Sequence, residues 1–171
     1  MPTDVNRQIV LRHRPTGAPK PTDFELVQTP MPKPGAGEVL CRTVYLSLDP
    51  YMRGRMEEGK SYTGGTNPDL GQVMVGGTVS EVVTSDDPAF QRGDFVVGFN
   101  GWQEYATARG KMLRKLDPGQ GPISTALGVL GMPGMTAYVG LLDIGKPKPG
   151  ETVVVSAASG GSMTSVNRIS S

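Results

Sequence analysis

"VMVGGTVSEVVTSDDPAFQRGDFVVGFNGWQEYATA", residues 73–108, holds three apolar runs divided by two clusters of turn residues. Val, Thr, Phe and Tyr suit a pleated, half-buried surface. Ser85-Asp86-Asp87-Pro88 and Asn100-Gly101 are residues that turn a chain. The stretch therefore reads as three short strands joined by tight turns, the grammar of a small barrel or rolled sheet. Gly76 and Gly77 fall inside the first run, where they mark a bulge or a close approach of another backbone.

The same pattern extends outward. Upstream, residues 38–48 form the longest strand candidate, with Val39, Leu40, Val44, Tyr45, Leu46 and Leu48 between turn residues. Phe24 and Leu26 alternate with polar neighbours ahead of a Pro and Gly cluster. Residues 7–21 are basic and proline-rich around a short strand from Ile9 to Leu11. Downstream the period changes. Leu127, Leu130, Tyr138, Leu141 and Leu142 recur at helical spacing. After Lys148-Pro149-Gly150, a strand from Thr152 to Val155 leads into Ser156-Ala157-Ala158-Ser159-Gly160-Gly161. The expected architecture is mainly β: a barrel from Gln8 to Leu116, then helices and the first strand of a parallel α/β unit.

Charge and cysteine content exclude several classes. Lys and Arg number 17 against 16 Asp and Glu, a formal charge of +1, so there is no footprint for nucleic acid or an anionic membrane. One cysteine, Cys41, excludes an internal disulfide, and no leader pattern is seen at Met1 to Val10, which favours the reducing cytoplasm. Pro118 to Leu142 carries no charge, but prolines and glycines interrupt it, favouring two short buried helices over a membrane span. One Cys and one His cannot supply the three or four ligands of a zinc site, nor a His-based hydrolase. His13 reads as a solvated side chain in a loop.

Two stretches carry candidate chemistry. In "LSLDPYMRGRM", residues 46–56, Asp49 before Pro50 fits a helix N-cap followed by Pro at the first helical position. Tyr51 there brings a phenol, and Arg53 and Arg55 bring positive charge; Tyr51 packed on the barrel with solvated arginines is the plainer alternative. The small-residue turn ending in Gly160 and Gly161 lets a backbone approach a pyrophosphate. It lacks the G-x-G-x-x-G spacing, and a flexible tail explains it as well.

The blocks "VYLSLDPYMRGRM", "MVGGTVSEVV", "GWQEY" and "LGVLGMPGMTAYVGLLDIGKPKPGETVVVSAASG" resemble the zinc-independent branch of the medium-chain dehydrogenase/reductase superfamily, that of curcumin, prostaglandin and plant alkenal reductases. The resemblance runs from Arg7 to Gly160. Leu48-Asp49-Pro50 stands where zinc-dependent relatives carry a Cys ligand, and Gly71-Gln72-Val73 where they carry Gly-His-Glu. It implies a GroES-like catalytic barrel over residues 1–120 and the start of a Rossmann nucleotide-binding domain over 121–160. Residues 161–171 do not match.

By resemblance, the activity is NADPH-dependent reduction of the carbon–carbon double bond of an enone or enal, with no metal. Tyr51 and Tyr62 would line the substrate cleft as catalytic residues. Pro50, Tyr51, Thr136, Gly160 and Gly161 would lie on the cofactor. A βαβ unit needs roughly thirty residues or more, and the family pattern breaks after Gly160, so the cofactor holder is expected to be begun but not built. A truncated or frameshifted reading frame, or a foreign tail, would each produce that.

The chain alone is accordingly expected to be the N-terminal part of such a reductase, with little turnover. Apolar helix surface from Ile123 to Ile144 would favour self-association, a homodimer among the assemblies open to it. Two rivals stand beside this reading: a free-standing GroES-like barrel acting as a binding or assembly module, and a quinone-directed reductase of the same superfamily.

Overall fold

In the computed structural model, which describes residues 5–59 and 67–155, the apolar runs become antiparallel strands. Strand β1 (Val5–Leu11) pairs along its length with β2 (Phe24–Pro30), Val5 opposite Pro30 and Leu11 opposite Phe24. Strands β3 (Glu38–Leu46), β4 (Thr78–Ser85), β5 (Phe95–Gly98), β6 (Tyr105–Arg109) and β7 (Arg114–Leu116) form a second sheet in the order β6-β3-β4-β5-β7. Single bridges from Gln8 to Gln103 and from Val10 to Val73 tie the hairpin to it. Against β4, strand β3 slips register between Leu40 and Cys41 and between Thr43 and Tyr45. Such bulges increase local twist, which curls a sheet toward a barrel.

The buried faces meet in two apolar clusters. Val39, Cys41, Val82 and Val96 form one, with Phe90 and Leu113 packed against it. Leu11, Met56 and Met74 form the other, beside Phe24 and Trp102. Each such side chain contributes about 1.5–3 kcal/mol relative to exposure. The strand expected over residues 73–83 starts late, at Thr78, so Gly76 and Gly77 precede it instead of lying in its interior. At the next turn Gly101 has φ +76°, and a Cβ there would sit 2.7 Å from the Met74 carbonyl oxygen. Only glycine satisfies both conditions.

Two compact units are distinguished, Met1–Leu116 and Asp117–Ser171. In the second, a 3₁₀ helix at Ile123–Leu127 precedes α2 (Met132–Tyr138), which continues as a π-helix over Val139–Gly145. The helical spacing is thus realised, but the burial is not. Leu130, Met132, Met135, Tyr138 and Ile144 are exposed, and the residues buried in these helices are the small Ala126, Gly134 and Ala137. No helix among the described residues is long and apolar enough to cross a membrane. The strand expected at Thr152 to Val155 is not formed, and Val154 stands exposed. A strand exists through its ladder, and the sheets of the described residues offer these four no neighbour.

Candidate functional site

Where β3 ends, the chain turns sharply. The Ser47 N–H donates to the Gly77 carbonyl at 2.9 Å, holding the strand end against the segment that leads into β4. Helix α1 (Tyr51–Arg55) follows at once, its first turn closed by Met52 N–H to Asp49 C=O at 3.0 Å and Arg53 N–H to Pro50 C=O at 3.1 Å. The expected Asp49 cap is corrected here: the carboxylate makes no bond to the helix backbone and instead accepts from the Ser47 hydroxyl at 2.9 Å. Pro50 takes the N-cap position already in helical conformation, φ −56° and ψ −32°, so the turn is set one residue later than expected.

Tyr51 lies at the start of this helix, half-buried, and its hydroxyl has no hydrogen-bond partner among the described residues. Burial raises the phenol above its ordinary value, the Asp49 charge raises it further, and Arg55 acts in the opposite direction. A phenol so placed stays protonated at neutral pH and can donate. Arg53 is partly exposed but tied to the protein. Its guanidinium donates to the Gly17 and Pro15 carbonyls at 2.9 and 3.2 Å and pairs with Glu57 at 3.2 Å.

The far end of the turn is held by residues that sequence reasoning missed. Arg14 donates to the carbonyls of Met56, Glu57 and Pro68 at 3.0, 2.8 and 3.2 Å. The buried Asn67 amide donates to Gly54 and Glu57 carbonyls at 3.1 and 2.9 Å. Asn67 N–H also reaches the Gly59 carbonyl at 3.2 Å, so the described chain leaves and returns at one point. Tyr62 falls between, outside the described residues, as do Gly160 and Gly161.

Thr136 sits in α2, where its hydroxyl donates to the Met132 carbonyl at 2.8 Å, leaving its lone pairs available as acceptors. It belongs to the second unit and Tyr51 to the first. His13 is exposed beside the Thr22 carbonyl, and Cys41 is fully buried with its thiol pushed up to about 11. Among the described residues, no group of three or more His, Cys, Asp or Glu could hold a metal ion. Among the described residues of the first unit, one open groove of about 270 Å³ lies beside Leu26, Leu46 and Trp102 and another of about the same volume beside Phe99, Thr107 and Met112; Tyr51 lines neither of these.

Similarity to known proteins is extensive. The chain is 59% identical over 156 residues to the NADPH-dependent curcumin reductase of Escherichia coli (strain K12), covering 91% of this chain and 44% of the relative. It is 44% identical over 162 residues to the 2-alkenal reductase (NADP(+)-dependent) of Nicotiana tabacum, covering 91% and 46%. The crystal structure of CurA in complex with NADPH from Vibrio vulnificus superposes with TM-score 0.85 at 51% identity, over 95% of this chain and 48% of that one. The chain therefore spans about half the length of the curated relatives it matches. Residues 7–116, the strands and the Tyr51 turn included, match the family described as the N-terminal domain of oxidoreductase, and the chain belongs to that family.

Proposed function

We propose that this chain supplies the substrate-side part of an NADPH-dependent oxidoreductase that reduces the carbon–carbon double bond of α,β-unsaturated ketones or aldehydes. The 59% identity to a relative named as a curcumin reductase, across nine-tenths of this chain, carries the proposal. Its division into a substrate-side domain over 1–120, the start of a nucleotide-binding domain over 121–160 and a further segment at 161–171 is part of the same reading. So are its zinc independence and a cytoplasmic setting.

The side chains suit a nicotinamide cofactor and an enone. When bound, the cofactor supplies hydride for the carbon β to the carbonyl. Tyr51 supplies what the carbonyl oxygen then needs, a neutral hydrogen-bond donor with no internal partner among the described residues. As negative charge grows on that oxygen, a donor already aimed at it stabilises the transition state more than the ground state. Pro50 limits how far the turn can flex, and Arg14 and Asn67 fix its far end. Tyr62, Thr136, Gly160 and Gly161 complete the proposed set, Tyr62 on substrate and the others with Pro50 and Tyr51 on the cofactor.

The rival reading as a free-standing binding module needs the apolar helix surface to be buried within the chain. Leu130, Met135 and Tyr138 are exposed, which favours the reductase reading. Self-association through this surface belongs to the same proposal. The test compares enone reduction by the 171-residue chain with that by a chimera carrying its matched 156 residues within the Escherichia coli relative. Turnover by the chimera and little by the chain alone is expected. A folded chimera that binds NADPH yet reduces no unsaturated carbonyl would sink the proposal.

A further inference from the structure

Leu46, Met52 and Trp102 converge on a residue that has no side chain. A Cβ added to Gly76 would lie 2.7 Å from Leu46 Cδ1, 3.1 Å from Trp102 Cδ1 and 3.2 Å from Met52 Cε. Carbon atoms rest at about 3.5–4.0 Å, so these three side chains occupy the space residue 76 leaves open. The backbone of Gly76 is not in the left-handed region. What the site uses is the missing methyl, not glycine's torsional freedom.

Two of the three neighbours are anchored. The Trp102 ring stacks on Phe24 with centroids 5.5 Å apart, the Trp102 backbone N–H donates to the Met74 carbonyl at 2.8 Å, and the Trp102 carbonyl accepts from Ile9 N–H at 2.8 Å. Leu46 is the last residue of β3, in register with Thr78 of β4. Met52 is different because it belongs to the turn itself. It follows Tyr51 directly, is 3% exposed, and its sulfur accepts from the Asp49 N–H at 3.5 Å. It meets residue 76 through its terminal methyl, and its sulfur links that side chain to the turn's backbone at Asp49.

We propose that Gly76 and Trp102 are positioning residues for Tyr51: the Trp102 ring and the space above Gly76 form the seat of Met52, and that seat fixes where the Tyr51 hydroxyl points. The functional meaning rests on the reading of Tyr51 as the substrate-side donor, but the geometry does not. Residue 76 is thereby a size filter on the site, acting through Met52 from outside it.

The experiment uses the 171-residue chain, whose sole tryptophan is Trp102. Gly76→Ala is expected to shift the Trp102 emission maximum and the alkaline titration of Tyr51, the latter read as the difference between proteins with and without Tyr51→Phe. Adding Met52→Ala to Gly76→Ala empties the space the new methyl needs and is expected to return both signals toward the parent. General loosening of the core would be worsened, not rescued, by a second truncation. A folded Gly76→Ala protein with unchanged emission and unchanged Tyr51 titration overturns the proposal, as does failure of the rescue. Where Gly76→Ala does not fold, Trp102→Phe carries the same expectation for Tyr51, and an unmoved titration there overturns it equally. If Tyr51→Phe in the chimera with the Escherichia coli relative leaves enone turnover intact while Gly76→Ala moves the titration in the 171-residue chain, the functional reading falls and the positioning stands. The reverse pair of results removes the positioning alone.

Discussion

Asn6 shows how much one side chain can carry in this fold. It is 1% exposed, its amide donates to the Tyr105 carbonyl at 2.8 Å, and its oxygen accepts from the Tyr105 N–H at 2.9 Å. The carboxamide stands in for a strand, satisfying both backbone groups that Tyr105 turns away from β3. Asn6→Ala leaves those groups unpaired, and buried unpaired groups cost about 1–3 kcal/mol each. Urea unfolding is expected to show a loss of at least about 2 kcal/mol on that basis; a loss within error would mean that water replaces the amide. Cys41 gives a second test at this scale. Burial lifts its thiol from an ordinary 9.0 to about 11. The folded chain therefore holds its proton where the unfolded chain releases it, so this contribution is complete below about pH 9 and is lost as pH rises toward 11. Iodoacetamide at pH 8.5 should label Cys41 only after denaturant is added, and rapid labelling of the native chain would contradict the burial.

Between elements, charge pairs join strands that are distant in sequence. Arg7 of β1 pairs with Glu104 just before β6, and Lys115 of β7 reaches Asp94 just before β5 at 2.6 Å. The hydrogen bond from Arg7 holds Glu104 below its ordinary 4.5, and that from Lys115 holds Asp94 below its ordinary 3.8. Both are depressed carboxylates, so their stabilisation is present above about pH 4.5 and is lost as pH falls through the lowered values. Exposed pairs are worth little, and a modest acid-side fall in the unfolding midpoint, reduced by Lys115→Met, is the expected result. An acid limb identical in Lys115→Met would remove Asp94 from the account. These links also mark the limit of what sequence can show. Strand runs were legible because alternation and turn residues are local. Arg14 reaching Met56, and Asn6 reaching Tyr105, join residues 42 and 99 apart, and no local pattern announces them. Asp49 misled for a related reason, since Ser47 competes for the carboxylate that would have capped the helix.

For the whole chain, the barrel-forming half was readable in its strands, and the second half only in its helical period. Leu130, Met135 and Tyr138 show the period without the burial it ordinarily reports. Residues 152–155 carry the composition of a strand without a partner to pair with. Of the proposed site, turn chemistry marked the Asp49 to Tyr51 block and the family resemblance alone assigned Pro50 and Tyr51 their roles, whereas the Gly76, Met52 and Trp102 seat had a single local hint, the glycine pair ahead of β4. At this scale the proposed role of the Tyr51 turn is to give a double-bond reductase its substrate-side donor. Its most direct test is Tyr51→Phe in the chimera with the Escherichia coli relative, assayed for NADPH-dependent enone reduction with kcat and KM separated. Loss of one transition-state donor predicts a fall in kcat of about a hundredfold at saturating NADPH. An unaltered kcat in a folded, NADPH-binding chimera would contradict the claim.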